Sequence, residues 1–186
     1  MNIIAELETA RLRLRGVTEA DVPAIQLHFN DYAIIGELAG RVPWPYPANG
    51  AARFVNEYVL PWQGKDHWIW GLFPRTDPKS LIGVIDLWRP GRPENRGFWL
   101  ARPFWGQGLM SEAADAVTDY AFAELGFETL VLSNALGNRR SRRIKEKAGA
   151  VLLRTEPFHF INPAYTEREI WELTKARWME KRGVVL

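Results

Sequence analysis

Three short apolar runs follow one another between residues 67 and 101, HWIWGLF, SLIGVIDLW and RGFWLA, separated only by the turn-forming stretches PRTDPK and RPGRPEN. Runs this short and this rich in β-branched and aromatic residues predict an antiparallel meander of three strands. After them the texture changes. From Met110 to Leu125, Ala114, Val117, Ala121 and Leu125 recur at helical spacing, and Gly126 stands where a helix needs a stop. TLVLSNA is then a continuous apolar strand, and NRRSRRIKEKAG a basic helix with Asn138 as its cap and Gly149 at its end. Two further strands around a turn at Asn162 and Pro163 close the chain.

Upstream, ARLRLRGVT alternates Arg11, Arg13 and Arg15 with Leu12 and Leu14, the period of a strand at an edge or exposed on one face. Thr18 and Asp21 mark the start of a helix running to Asn30, with Ala20, Ile25 and Leu27 as its apolar positions. RVPWPYPANG, with its three prolines, reads as a rigid loop. A meander followed by strand–helix–strand units predicts a mixed α+β sheet. At 186 residues, without repeats or linkers, a single domain over residues 1–186 is expected.

Composition removes several kinds of chemistry. The chain has no cysteine, which excludes disulfides, a thiol nucleophile and thiolate metal sites. Its three histidines are scattered without the close pairing of ligands, so no metal is expected. MNIIAELETARL carries acid where a signal peptide has base, and no later stretch approaches the length of a membrane span. A cytoplasmic protein without a membrane partner is the expectation. The net charge of +2 gives no argument for nucleic acid.

The most pointed feature is RPFWGQGLMSEAADA, where Gly106 and Gly108 stand immediately before a strong helix. The first amides of a helix lack intrahelical partners and carry partial positive charge, and glycines let an anion approach them closely. The same glycines also serve a turn that needs positive φ. What surrounds them bears on the choice. GFWLARPFWGQGLMSEAADAV resembles the acetyl-CoA-binding segment of the GNAT superfamily of N-acetyltransferases, and more narrowly its RimJ/RimL-type branch. LETARLRLRGVTEAD, LIGVIDL, NRRSRRIKEKAGA and INPAYTEREIWELTKARW are similar, in the same order, to that branch's opening strand and helix, central strand, Asn-x-x-Ser helix and closing hairpin. The resemblance spans essentially the whole chain. Pro103 and Ala150 depart from the wider pattern, and neither touches the glycines.

The resemblance implies a GNAT fold, a mostly antiparallel twisted sheet splayed at the cofactor site and flanked by helices. It implies acetyl transfer from acetyl-CoA to a primary amine by direct attack in a ternary complex. The segment that would hold acetyl-CoA comprises Leu100, Ala101, Arg102, Phe104, Trp105, Gly106, Gln107, Gly108, Leu109 and Met110, joined by Asn138, Ser141 and Arg143 on the basic helix. A backbone N–H near Leu100 and Ala101 would hold the oxyanion, and Ser141 would donate a proton to the departing thiolate. Asn138 and Ser141 also read as an ordinary helix start. Arg139, Arg140, Arg142, Arg143, Lys145 and Lys147 form either a solvated face, a phosphate contact or an RNA contact.

For the base the chain offers His28, His67, His159, Asp86 and Glu156. Histidine titrates nearest neutrality. HFIN resembles a closing-strand segment where RimJ/RimL-type enzymes carry a glutamate, which makes His159 the expected base, with Glu156, Asp86 or a water relay as alternatives. Trp44, Tyr46, Trp88 and Trp99 are candidates for an aromatic acceptor channel, or for core. The expected acceptor is a peptide or protein N-terminus. A small-molecule amine, or a non-catalytic acyl-CoA-binding or RNA-associated module, are the other readings, and a homodimer stays open.

Overall fold

The computed structural model describes residues 4–89 and 94–183. Alternation builds its first sheet. In LRLRG, Leu12 and Leu14 are fully buried while Arg13 and Arg15 stay partly exposed, so β2 (Leu12–Gly16) buries one face. It is not an edge strand, because β1 (Leu7–Glu8) pairs along its outer side. On its inner side lies β3 (His67–Pro74), apolar on both faces and buried along nearly its whole length. β4 (Gly83–Trp88) and β5 (Phe98–Leu100) complete the expected meander, giving the antiparallel order β1-β2-β3-β4-β5. The turn expected over RPGRPEN falls partly outside the described residues.

The second sheet has the order β6-β8-β7 and is also antiparallel. β6 (Thr129–Ala135) pairs with β8 (Glu167–Thr174) over its full length, and β7 (Val151–Pro157) forms the outer edge. The sheet expected to splay at the cofactor site is, among the described residues, two antiparallel sheets that meet at Asn95. The Asn95 N–H donates to the Val131 carbonyl (2.7 Å), and its Oδ1 accepts the Val131 N–H (2.7 Å). On its other side the Asn95 carbonyl accepts the Trp88 N–H (2.8 Å), and its Nδ2 donates to the Trp88 carbonyl (3.1 Å). Asn95 thus acts as a strand residue toward both sheets, its amide side chain replacing a second peptide group. Beyond it β5 and β6 part.

Helices cover the sheets where their apolar stripes fall. α1 (Val22–Phe29) follows a 3-10 turn at Glu19–Asp21, with the Thr18 N–H donating to Asp21 Oδ2 (2.8 Å). Ile25 is buried as expected, but Leu27 is 74% exposed, on the outer side of this short helix. α2 (Tyr32–Ile35) and α3 (Gly50–Arg53), the latter running into a π-turn at Phe54–Val59, pack with α1 over one core. α4 (Leu109–Ala123) buries Ala113, Ala114, Val117, Ala121 and Phe122 in the other core, and Leu125 lies past its end. α5 (Arg139–Ala148) is capped by Asn138, whose Oδ1 accepts the Ser141 N–H (3.1 Å). The closing hairpin is followed by α6 (Lys175–Lys181), which the strand reading misses. Thr174 caps it, and Trp178 pins it by burying its ring and donating Nε1–H to Asp119 (2.7 Å). Among the described residues no helix is long and apolar enough to cross a membrane.

Candidate active site

A cavity of about 640 Å3 opens where β5 and β6 part. One wall is β5 and the loop that follows it, the other is the end of β6 and the start of α5, and Phe158 and Phe160 close one side.

The loop is shaped by its glycines. Gly106 has φ +76° and Gly108 φ +78°, in the left-handed region where a side chain is strained. A Cβ built on Gly106 meets no atom within 4 Å, so the backbone here fronts open space. Gly108 is the N-cap of α4 and has no side chain to cap it, which leaves the first amides of the helix without an acceptor. These amides, the helix dipole and the bare Gly106 backbone form a cradle on the cavity wall with the chemistry to receive an anion.

The cradle is held from behind by the β1–β2 turn. Arg11 donates from Nη1 to the Gln107 carbonyl (2.9 Å) and from Nε to Glu112 (2.7 Å), while Glu112 also accepts from Thr9 Oγ1 (2.5 Å) and the Arg11 N–H (2.7 Å). Burial alone would raise the Glu112 carboxyl, but the hydrogen bonds from Thr9 and Arg11 outweigh it and hold it below its ordinary value. A carboxyl held low contributes stability above its unfolded pKa and loses it as pH falls through the folded one. Glu112→Gln is therefore expected to lower the melting temperature at neutral pH, with the gap to wild type closing below the ordinary glutamate range. A gap that persists into acid would mean that Glu112 acts by shape alone.

Across the cavity, α5 divides its cations. Arg140, Arg143 and Lys147 line the cavity, spaced three and four residues apart on one face. Arg142 turns away to pair with Glu146 (2.8 Å) and the buried Glu169 (2.6 Å). The Arg140 guanidinium lies 3.9 Å from the Trp105 ring centroid and 2.7 Å from Glu37, which also accepts from Asn138 Nδ2 (3.0 Å). Lys145 belongs to neither set. It is 1% exposed, and its Nζ donates to Ser141 Oγ at 2.8 Å. Ser141 itself lines the cavity.

The β5 amides are sorted by their pairing with β4. The Ala101 N–H is committed to the Ile82 carbonyl (2.8 Å), and the Gly97 carbonyl accepts the Asp86 N–H (2.9 Å). In an antiparallel ladder the residues between face the other way, so the N–H groups of Phe98 and Leu100 point toward the parted edge. Of the pair expected to supply an oxyanion donor, Leu100 has the N–H directed there and Ala101 does not. The Leu100 carbonyl accepts from Trp105 Nε1 (2.6 Å) and fixes the turn into the glycine loop.

The structure brings together on this cavity Leu100, Phe104, Trp105, Gly106, Gln107, Gly108, Leu109 and Met110 with Asn138, Ser141 and Arg143. Arg102 instead points outward to Asp31 (3.0 Å). Trp99 lines the cavity; the other three aromatic candidates do not. Trp44 packs on Tyr32 (5.1 Å) at the surface, and Tyr46 packs edge-on against Phe29 (5.1 Å), with its hydroxyl pushed up to about 12 by burial. Trp88 stacks on the buried His67 (3.3 Å). None of the five candidate bases lines the cavity. His159 is exposed and packs its ring on Gly40, because Phe158 and Phe160 on either side take the inward-facing positions of an extended segment. Glu156 is clamped by Arg168 (2.6 Å) and Arg154 (2.8 Å), whose hydrogen bonds lower its carboxyl. Asp86 accepts the Gly97 N–H (2.5 Å) and lies 3.8 Å from His67, while His28 sits in the last turn of α1. Sequence reasoning misses Glu37, Glu94, Arg96, Phe158 and Phe160, all of which line the cavity. Only the F-H-F alternation in EPFHFIN carried a signal for any of them.

The profile of a family described as "Acetyltransferase (GNAT) domain" matches residues 11–151. The chain is 28% identical over 103 residues to the putative ribosomal N-acetyltransferase YdaF of Bacillus subtilis, a match covering 53% of this chain and 56% of YdaF. It thus spans little more than half the length of that curated relative. Among solved structures, RimL, a ribosomal alpha-N-protein acetyltransferase in complex with coenzyme A, superposes with a TM-score of 0.76 at 19% identity, covering 91% of this chain and 98% of that one. Spermidine N-acetyltransferase from Vibrio cholerae, in complex with CoA and spermine, gives 0.73 at 17% identity, covering 90% and 98%. At these identities the likeness to both structures is one of fold.

Proposed function

The chain belongs to the acetyltransferase (GNAT) family, and from that premise we propose that it transfers the acetyl group of acetyl-CoA to the N-terminal amine of a peptide or protein. The observation that carries this reading is the convergence, on one cavity, of the open glycine cradle, the β5 edge amides and the Ser141 hydroxyl. Acetyl-CoA, when bound, supplies the activated thioester. The backbone at Gly106 and Gly108 and the first amides of α4 would hold its pyrophosphate, with Arg143 and Lys147 facing them from α5. The Leu100 N–H, directed toward the parted edge, would hold the acetyl oxygen as charge builds on it. Ser141 donates a hydrogen bond to the departing sulfur.

The acceptor side argues for one amine beside an apolar side chain. Phe158, Phe160, Ile34 and Leu38 form its wall. Its carboxylates are already engaged, Glu37 by Arg140 and Asn138 and Glu94 by Ser133, so no cluster of free acids awaits a polycation. An N-terminal amine with a pKa of about 8 is roughly one-tenth uncharged at neutral pH, whereas an amine near 10.4 is uncharged to less than about one part in a thousand. Such an acceptor can lose its proton to water, which suits a cavity lined by none of the five expected bases.

The test is calorimetric titration with acetyl-CoA, CoA and ATP, followed by thiol release with a set of short peptides of varied N-terminal residue and with spermidine. Acetyl-CoA binding and a kcat/KM at least about tenfold higher for an apolar N-terminus than for spermidine are expected. Binding without turnover of any amine would leave a CoA-binding module, and preference for spermidine would overturn the peptide acceptor.

A further inference from the structure

Lys145 is the basic side chain of α5 that reaches neither solvent nor the cavity. A lysine so placed loses its hydration, and an apolar residue of similar length would fill the same space at less cost. Its geometry indicates what the ammonium does there. Nζ lies 2.8 Å from Ser141 Oγ, one helical turn away, and the Ser141 N–H is fixed by Asn138 Oδ1. With Oγ accepting from Lys145, the remaining Ser141 proton is free to point into the cavity.

Every element packed around Lys145 contributes to its charge balance. Arg96 and Glu94 come from the segment before β5, Glu169 from β8, and the Phe98 ring of β5 lies 5.8 Å from Nζ. Arg96 is itself buried, donating from Nη1 to Thr118 Oγ1 (3.0 Å), with Asp115 and Asp86 as the opposite charges that act on it. Burial and the Arg96 charge pull the Lys145 ammonium down, Glu94 and Glu169 pull it up, and the balance lies at about 7. Ammonium and free amine are then both accessible near neutrality.

We propose that Lys145 supplies the proton that Ser141 passes to the sulfur of departing CoA. This rests on the reading of Ser141 as the donor to that sulfur. As the acceptor nitrogen bonds to the acetyl carbon, the C–S bond breaks and its electron pair stays on sulfur. The Ser141 hydroxyl proton goes to sulfur, and Oγ takes a proton from Lys145 Nζ, which is left as a neutral amine. The proton lost by the acceptor amine goes to water, and once the CoA thiol has left and the cavity refills, a proton returns from water to Lys145 through the Ser141 hydroxyl. Ser141 touches the substrate, and Lys145 acts through it.

The test needs no acceptor. Coenzyme A is bound to the 186-residue chain and its thiolate is followed by ultraviolet absorbance as a function of pH, with melting curves confirming that each variant is folded. In the wild type the bound thiol can pass its proton through Ser141 to the neutral Lys145, which then faces the thiolate as an ammonium, so Ser141→Ala and Lys145→Met are each expected to raise the pH at which the thiol ionises by about one unit, a tenfold change in its ionisation constant. Lys145→Gln keeps a hydrogen bond to Oγ but has no proton to give, and the same upward shift is expected from it; it also carries the test should Lys145→Met fail to fold. A wild-type titration in Lys145→Gln would reduce Lys145 to a positioning role and overturn the proposal. A shift in Ser141→Ala with none in either lysine variant would also overturn it while sparing the Ser141 assignment. No shift in Ser141→Ala would remove that assignment and the proposal together.

Discussion

Gly106→Val is expected to weaken acetyl-CoA binding by at least about 100-fold while the protein remains folded. Two or three charge-assisted hydrogen bonds from the loop and the first amides of α4 are at stake, each contributing roughly 1.5–3 kcal/mol. A branched side chain at Gly106 would project into the open space in front of these amides, since no protein atom lies within 4 Å of its Cβ position. The same emptiness means that the substitution clashes with nothing in the protein. Its folding cost is the strain of a side chain at φ +76°, about 1–2 kcal/mol. That cost has an internal control in Gly126, which has φ +71°, equally open space around its Cβ and no place on the cavity. Gly126→Val bears a comparable backbone strain, so its melting temperature should fall with that of Gly106→Val while its affinity for acetyl-CoA stays at the wild-type level. Calorimetry on the pair separates loss of a ligand contact from loss of stability. If the affinities of the two variants match, the glycine stretch is a turn and nothing more.

The parts of the fold legible in the sequence are those whose signal is local. Period-two alternation places β2, dense β-branched and aromatic runs place β3, β4 and β6, and a cap with a terminal glycine bounds α5 between Asn138 and Gly149. The glycine loop was legible for the same reason, because positive φ next to a helix start leaves a mark in residue type. The rest depends on direction, which composition does not encode. His159 and its neighbours Phe158 and Phe160 are close in sequence, yet only the two rings face the cavity, and a one-residue change of register would exchange them. Lys145 sits in a run of cations that reads as a solvated face, and only the rotation of α5 against β5 and β8 turns that single member inward. Trp44, Tyr46 and Trp88 have the chemistry of an acceptor wall, but each finds an aromatic partner elsewhere. Asn95 was hidden most completely, since an asparagine after RPGRPE is an ordinary turn residue.

That asparagine carries the second large effect. Asn95 is 4% exposed, and its side-chain amide makes two hydrogen bonds, one to the Val131 N–H and one to the Trp88 carbonyl. In Asn95→Ala the Val131 N–H and the Trp88 carbonyl each lose this hydrogen bond at the place where the sheets meet. Removing one partner of a buried hydrogen bond costs about 1–3 kcal/mol, so the pair amounts to roughly 3 kcal/mol. For a chain of this length that lowers the melting temperature by about 6–12 °C. The cavity is affected as well, because Glu94 and Arg96 on either side of Asn95 line it and β5 leaves from this point. Well below its melting temperature, Asn95→Ala should therefore also bind acetyl-CoA more weakly, as the apex between β5 and β6 loosens. Asn95→Asp distinguishes the two halves of the junction: its carboxylate can still accept from the Val131 N–H but cannot donate to Trp88, and it buries a charge, so it should be no more stable than the alanine variant at neutral pH. Protonation restores the missing donor, and the aspartate variant alone should gain on wild type as pH falls through the carboxylate range. A melting temperature for Asn95→Ala within about 2 °C of wild type, less than 1 kcal/mol at this size, would mean that the sheets are held together by the core beneath them and that the asparagine only fills the turn.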